Sequence, residues 1–170
     1  VVALRNRNHD EVTDLVRFAL GRDLDISFIE EMPLGHVDGR ERREEFYPSD
    51  AIRRDLSREF ELIPSTYETA GPSRYWTIPG YRTQIGFISP HSQNFCGTCN
   101  RVRVTAEGRL LLCLGNEHSV DLRGVLRETP GEVEGLKEAI RRAMDLKPER
   151  HHFDLTEQPV ILRHMSRTGG

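Results

Sequence analysis

Lysine is almost missing from this chain: among 24 lysine and arginine residues only Lys137 and Lys147 are lysines, and the remaining 22 are arginines. Codon bias suffices to produce such an excess, but it also supplies fork-shaped donors that suit phosphate. A cationic surplus is missing as well. The formal charge of −3 and the pI of about 6.2 exclude nucleic-acid binding driven by bulk charge. No apolar run approaches the ~20 residues that a membrane span needs, so the expectation is a soluble, cytoplasmic protein of one or two small domains with no membrane partner. Apolar residues counted with glycine and without tyrosine make up about 42% of the chain, a little under the usual 45–50%, which leaves surface to face a partner or ligand. Cysteine is scarce too. Three cannot all pair with one another, and two lie in a C-x-x-C, so a disulfide scaffold is a poor reading and a cytosolic metal or cluster site a better one. There is no initial methionine and no basic segment followed by an apolar one with a cleavage site, so the chain reads as a piece that starts within a strand.

Local pattern predicts the elements. Asn8 or Asp10 can cap a helix with apolar positions Val12, Leu15, Val16, Ala19 and Leu20, ending at Gly21. Flanked by Val1 to Arg5 and by Asp25 to Glu30, it reads as strand, helix, strand, the repeating unit of a parallel α/β sheet. One such unit cannot bury both faces of a sheet, so further strands are expected upstream. Residues 36–48, with Asp38-Gly39 and a charge run from Arg40 to Glu45, read as a linker, which divides the chain into segments 1–35 and 36–170. Beyond it, Ser49 can cap a helix bearing Ile52, Leu56 and Phe60, and residues 62–88 read as two or three antiparallel strands. Residues 101–105 and 109–114 flank Ala106-Glu107-Gly108 as a hairpin. Thr129-Pro130-Gly131-Glu132 offers a capping box for a helix with Leu136, Ile140 and Ala143, stopped at Pro148.

The sharpest chemical signal is Cys96-Gly97-Thr98-Cys99 followed by Cys113. The expected hairpin folds Cys113 back beside Cys99, so three thiolates converge. Three thiolates favour a 4Fe-4S cluster with one iron left open. Structural zinc is the rival, with His91 or His118 as fourth ligand, and three unligated buried cysteines are the third reading. Arg101 and Arg103, two apart on an expected strand, point to one face beside the cysteines. Paired forks next to an open coordination position suit a polyanion such as a nucleoside triphosphate.

Phe28-Ile29-Glu30-Glu31-Met32-Pro33-Leu34-Gly35, Phe95-Cys96-x-x-Cys99-Asn100-Arg101-x-Arg103, Gly108 with Leu112-Cys113-Leu114, Lys147-Pro148 before His151, and Gly169-Gly170 resemble the molybdenum cofactor biosynthesis protein A family, the radical S-adenosylmethionine GTP 3',8-cyclases. The likeness runs over essentially the whole chain. It implies an α/β fold: residues 1–35 as the last βαβ piece of an incomplete TIM barrel, then an α+β C-terminal domain with antiparallel strands over 36–170. It implies that Cys96, Cys99 and Cys113 ligate one 4Fe-4S cluster, that Arg101 and Arg103 contact GTP, and that Met32 sits near the adenine of S-adenosylmethionine. The tail residues Arg167, Gly169 and Gly170 would enter the active-site cavity. A second 4Fe-4S cluster that cleaves S-adenosylmethionine would belong to an N-terminal half, and a homodimer is a further partner.

Two departures qualify the resemblance. The C-x3-C-x2-C motif of the radical-generating cluster is absent from this chain, so it is expected to bind without catalysing alone. Ser27 stands where the family usually has arginine, which removes one expected anion contact. The competing readings are a zinc-stapled or cluster-bearing nucleotide-binding module without catalysis, and an electron-transfer protein.

Overall fold

The computed structural model describes residues 1–35, 42–128, 130–151 and 153–155 together with Ile161, Arg163, Met165 and Thr168. The chain gathers into two compact units, Val1–Met32 with Gly39–Phe95 and Pro33–Asp38 with Cys96–Gly170.

In the first unit α1 (Val12–Leu20) buries Val12, Val16, Ala19 and Leu20, as their spacing predicts. Its entry differs from the expectation. A short 3-10 turn over His9–Glu11 precedes it, and neither Asn8 nor Asp10 caps the helix. The Asn8 side chain instead accepts the Leu4 N–H at 2.7 Å and donates to the Val2 carbonyl at 3.0 Å. β1 (Ile26–Ile29) follows, with Val2 bridging Ile29 in parallel. The strand, helix, strand order is therefore present, although Val1 to Arg5 contributes single bridges and no full strand. α2 (Arg42–Glu45) is a short helix within the stretch expected to be a linker. α3 (Ser49–Leu56) buries Ile52 and Leu56, and Phe60 packs on the same core from beyond the helix end.

β2 (Ile63–Pro64), β3 (Arg74–Thr77) and β4 (Gln84–Ile88) are the expected antiparallel strands. β4 also pairs in parallel with β1, giving the order β1-β4-β3-β2. One sheet thus joins residues from both sides of the boundary expected after residue 35. Side chains alternate along β1 and β4, so Ile26, Phe28, Ile85 and Phe87 share a face. Phe28, Ile85 and Phe87 are buried there with Val12 and Val16 of α1 and Ile52 and Leu56 of α3. Ser27 and Gly86, paired in register, lie on the opposite face.

The second unit holds β5 (Arg103–Val104), β6 (Arg109–Leu111) and β7 (Ser119–Asp121) in an antiparallel sheet of order β5-β6-β7. The expected hairpin is present. Gly108, at φ 78°, takes a left-handed turn conformation that a side chain would strain. The strands are shorter than expected: the ladder stops at Arg103 and Leu111, so Arg101 and Cys113 lie beyond it. β7 leads into α4 (Leu122–Glu128), and neither element was foreseen. α5 (Val133–Asp145) packs Leu136, Ala139 and Ala143 on Leu110, Leu112 and Leu122. It starts later than the capping-box pattern predicts, with Glu132 as N-cap making no side-chain cap bond; Pro130 precedes it and Thr129 lies outside the described residues. Ile140, expected on the apolar face, is exposed. Among the described residues no helix is long and apolar enough to cross a membrane.

The start of α4 carries a local prediction. Asp121 Oδ1 accepts the Gly124 N–H at 3.0 Å, and that bond holds the carboxyl below its ordinary value against the opposing effect of burial, with Arg123 and Arg109 adding a weaker pull in the same direction as the bond. A group with a lowered folded-state pKa stabilises fully above its unfolded value and loses that contribution as pH falls through the folded value. Asp121→Ala is therefore expected to speed amide exchange in the first turn of α4 at neutral pH, while wild-type protection fades only in acid. Asp121→Asn keeps an acceptor, and its protection is expected not to depend on acid. Exchange measured by NMR at pH 7 and pH 3 checks this.

Candidate functional site

Cys96 and Cys99 lie at the two ends of a tight turn: Cys96–Thr98 forms a single 3-10 turn, and the Cys99 N–H donates to the Cys96 carbonyl at 3.0 Å. Cys113 stands two residues past the end of β6. None of the three cysteines is in a disulfide, and all are partly buried. Burial pushes the Cys113 thiol up, a donated N–H from Gly115 and the nearby Lys147 ammonium pull it down, and Cys96 and Cys99 push it up again. The three sulfurs therefore share one electrostatic neighbourhood. The His151 N–H also points at Cys96 Sγ, at 3.5 Å.

Arginines border the sulfurs. Burial holds the Arg103 guanidinium below its ordinary value, Arg101 adds like-charge repulsion, and Cys99 and Cys113 act in the opposite direction. Arg103 is half-buried and Arg101 exposed. Only Arg103 belongs to a strand, so their common neighbourhood comes from proximity to the turn and not from the strand alternation expected of an Arg-x-Arg pair.

As a donor set, three thiols flanked by backbone N–H groups and cations fit an iron-sulfide cluster, whose sulfur ligands are soft and whose charge is negative. Among the described residues, the three cysteines included, no group of three or more His, Cys, Asp or Glu side chains is placed to hold a metal ion, so the convergence expected of the thiolates is not seen as a formed metal site. The two histidines considered for zinc are placed as follows. His91 Nε2 lies 2.9 Å from the Glu31 carbonyl, and the ring meets Phe46 edge-on. His118 is exposed, and its N–H donates to Asn116 Oδ1 at 2.6 Å.

Met32 is half-buried in the segment that follows β1. Arg167, Gly169 and Gly170 lie outside the described residues. Two participants carry roles that sequence reasoning did not assign. Lys147 Nζ donates to the Arg101 carbonyl at 3.0 Å and to the Leu112 carbonyl at 2.7 Å; its rarity as a lysine was the available signal. Glu30 is 1% exposed and accepts N–H groups from Ser49, His91 and Ser92. An acidic residue directly after the apolar Phe28-Ile29 pair was its signal.

Residues 24–153 match the family described as Molybdenum Cofactor Synthesis C. Three curated relatives carry the name GTP 3',8-cyclase. That of Saccharophagus degradans is 60% identical over 169 residues, 99% of this chain and 51% of the relative. Those of Pseudomonas entomophila and Pseudomonas putida are 59% and 58% identical over 170 residues, with the same coverage. The chain spans about half the length of the curated relatives it matches.

Proposed function

The chain belongs to the Molybdenum Cofactor Synthesis C family, and on that premise we propose that it is the C-terminal part of a GTP 3',8-cyclase acting in molybdenum cofactor biosynthesis. In this reading Cys96, Cys99 and Cys113 hold a 4Fe-4S cluster, and Arg101 and Arg103 hold GTP. The observation that carries it is that one compact unit holds the three cysteines and both arginines, with Lys147 Nζ joining the Arg101 and Leu112 carbonyls beside Cys99 and Cys113 and the His151 N–H on Cys96 Sγ. S-adenosylmethionine and a second cluster are handled by an N-terminal half, with Met32 facing the adenine and the tail residues Arg167, Gly169 and Gly170 reaching the cavity. Residues 1–35 supply the last piece of a partial barrel, which β4 extends in parallel from within 36–170. A second copy of the chain is the remaining proposed partner.

A bound cluster would be held by Cys96, Cys99 and Cys113 and would supply an iron that no protein thiolate occupies. The protein's own work is binding and placement. Arg103, already partly withdrawn from water, presents a planar fork to phosphate oxygens, and exposed Arg101 adds a second. Together they fix the nucleotide so that the carbons to be joined in the GTP cyclisation stay close, which is where most of the benefit of positioning lies.

The test is calorimetric titration of the anaerobically reconstituted chain with GTP. Arg103→Ala is expected to weaken binding about tenfold or more, the scale of a lost charge-assisted hydrogen bond, and Arg101→Ala by a smaller factor because its charge is more hydrated. Neither residue belongs to the apolar cluster of its unit, so far-ultraviolet circular dichroism is expected to be unchanged. Wild-type affinity in both variants would remove these arginines from the site.

A further inference from the structure

We propose that Lys147 is a positioning residue for the cysteine triad, clasping the two chain segments that carry Cys99 and Cys113 after their β-ladder has ended. This rests on the cluster reading given above. The β5–β6 ladder stops at Arg103 and Leu111. Cys99 lies four residues before the first of these and Cys113 two after the second, so strand pairing does not reach the thiols. Lys147 Nζ fills the gap. It donates at once to the carbonyl of Arg101, two residues after Cys99, and to that of Leu112, one residue before Cys113.

The clasp is itself anchored. α5 closes with the Leu146 N–H on Ala143 O and the Lys147 N–H on Met144 O, both at 3.1 Å. Ala143 is buried against Leu110, Leu112 and Leu122, so the lysine backbone is tied to the same core as β6. Pro148 then restricts the exit of the chain. Four residues after Lys147, the His151 N–H reaches Cys96 Sγ, and residues 147–151 therefore touch the segments of all three cysteines.

Lysine suits this task better than arginine. A compact ammonium with three donors can serve two carbonyls from one atom and still leave its charge beside the thiols. Its effect on Cys113 is felt electrostatically, and a bound cluster with three thiolates would gain from the same charge.

The test compares Lys147→Met, Lys147→Arg and the control Lys137→Met with the wild-type 170-residue chain after anaerobic reconstitution with iron and sulfide. Iron release to a chelator, the midpoint potential of the cluster, its electron paramagnetic resonance spectrum, and the circular dichroism and melting of the iron-free chain are read. The Lys147→Met chain is expected to stay folded without iron, to release iron roughly tenfold faster or more, on the scale of lost outer-shell support, and to show a lower potential because a nearby positive charge is gone. Lys147→Arg is expected to restore the potential and part of the retention. Lys137→Met should match wild type. Unchanged iron release and potential in Lys147→Met overturn the assignment, as does a Lys147→Met chain that is unfolded before iron is added, since the clasp would then be a general structural one. A wild-type chain that takes up no iron overturns the cluster reading along with it.

Discussion

Replacing any one of Cys96, Cys99 or Cys113 by alanine is expected to abolish retention of a four-iron cluster after anaerobic reconstitution, leaving a nearly colourless chain where the wild type is brown. The cause is a count. Three protein thiolates are needed when one iron is left open, and the sequence holds three cysteines. Removing one leaves two sulfurs to hold a charged group at a partly buried position, and no further cysteine can take over. Loss of the cluster should not be loss of the fold. The apolar cluster of this unit is built from Leu110, Leu112, Leu122 and Ala143, and none of the thiols contributes to it. Iron and sulfide analysis, the visible spectrum and circular dichroism separate these outcomes, and Cys→Ser variants guard against a packing artefact. A colourless wild-type chain with one tightly held zinc would overturn the cluster reading. Alanine variants that keep the full iron content would release the affected cysteine from the site.

What could be read from the sequence was what repeats at short range. The spacing of Val12, Val16, Ala19 and Leu20 marks α1 because a helix brings positions three and four apart onto one face, and all four are buried. The hairpin around Gly108 was readable for the same local reason. Helix starts were not. Asn8 is a good capping residue by type, yet its amide serves the N-terminal segment through Leu4 and Val2. Ser49 was expected to cap α3, yet a carboxylate from β1's own exit, Glu30, receives its N–H. Both reassignments depend on partners that only the tertiary fold brings close. Parallel pairing of β1 with β4 spans a stretch read as a boundary, since a charged linker says where the chain is solvated and nothing about which strands it joins. At the candidate site the cysteine spacing and the Arg-x-Arg pair were visible. The contacts of Lys147, 46 and 35 residues away from its acceptors, were not, because a side chain reaching backbone carbonyls leaves no sequence pattern.

Glu30→Ala is expected to cost the first unit several kcal/mol of stability, more than any surface change in it. Glu30 Oε1 accepts the Ser49 N–H at 3.0 Å and the Ser92 hydroxyl, and Oε2 accepts the N–H groups of His91 at 3.0 Å and Ser92 at 3.1 Å. The residue is 1% exposed, so water cannot readily replace it. One carboxylate thus closes the start of α3 and holds the loop after β4 against the end of β1, while the Ser89 hydroxyl reinforces the junction by donating to Ser49 Oγ at 2.7 Å. A buried donor left without an acceptor costs about 1–3 kcal/mol, and Glu30→Ala strands one such N–H, that of Ser49, together with the part-buried N–H groups of His91 and Ser92, which cost less each. Against the roughly 5–15 kcal/mol that stabilises a typical domain, that is a large fraction. Glu30→Gln preserves one acceptor oxygen but turns an amide N–H2 toward donors, so it should recover only part of the loss. Ser92→Ala removes a single hydroxyl bond and should cost least. Urea unfolding followed by tryptophan fluorescence reports on this unit directly, because Trp76, the one tryptophan of the chain, packs edge-on against Phe87 in its core. The expected order of midpoints is wild type, Ser92→Ala, Glu30→Gln, Glu30→Ala. A Glu30→Ala midpoint equal to that of Ser92→Ala would show that the carboxylate is not what closes the helix start, and that water or a neighbouring acceptor reaches those N–H groups after all.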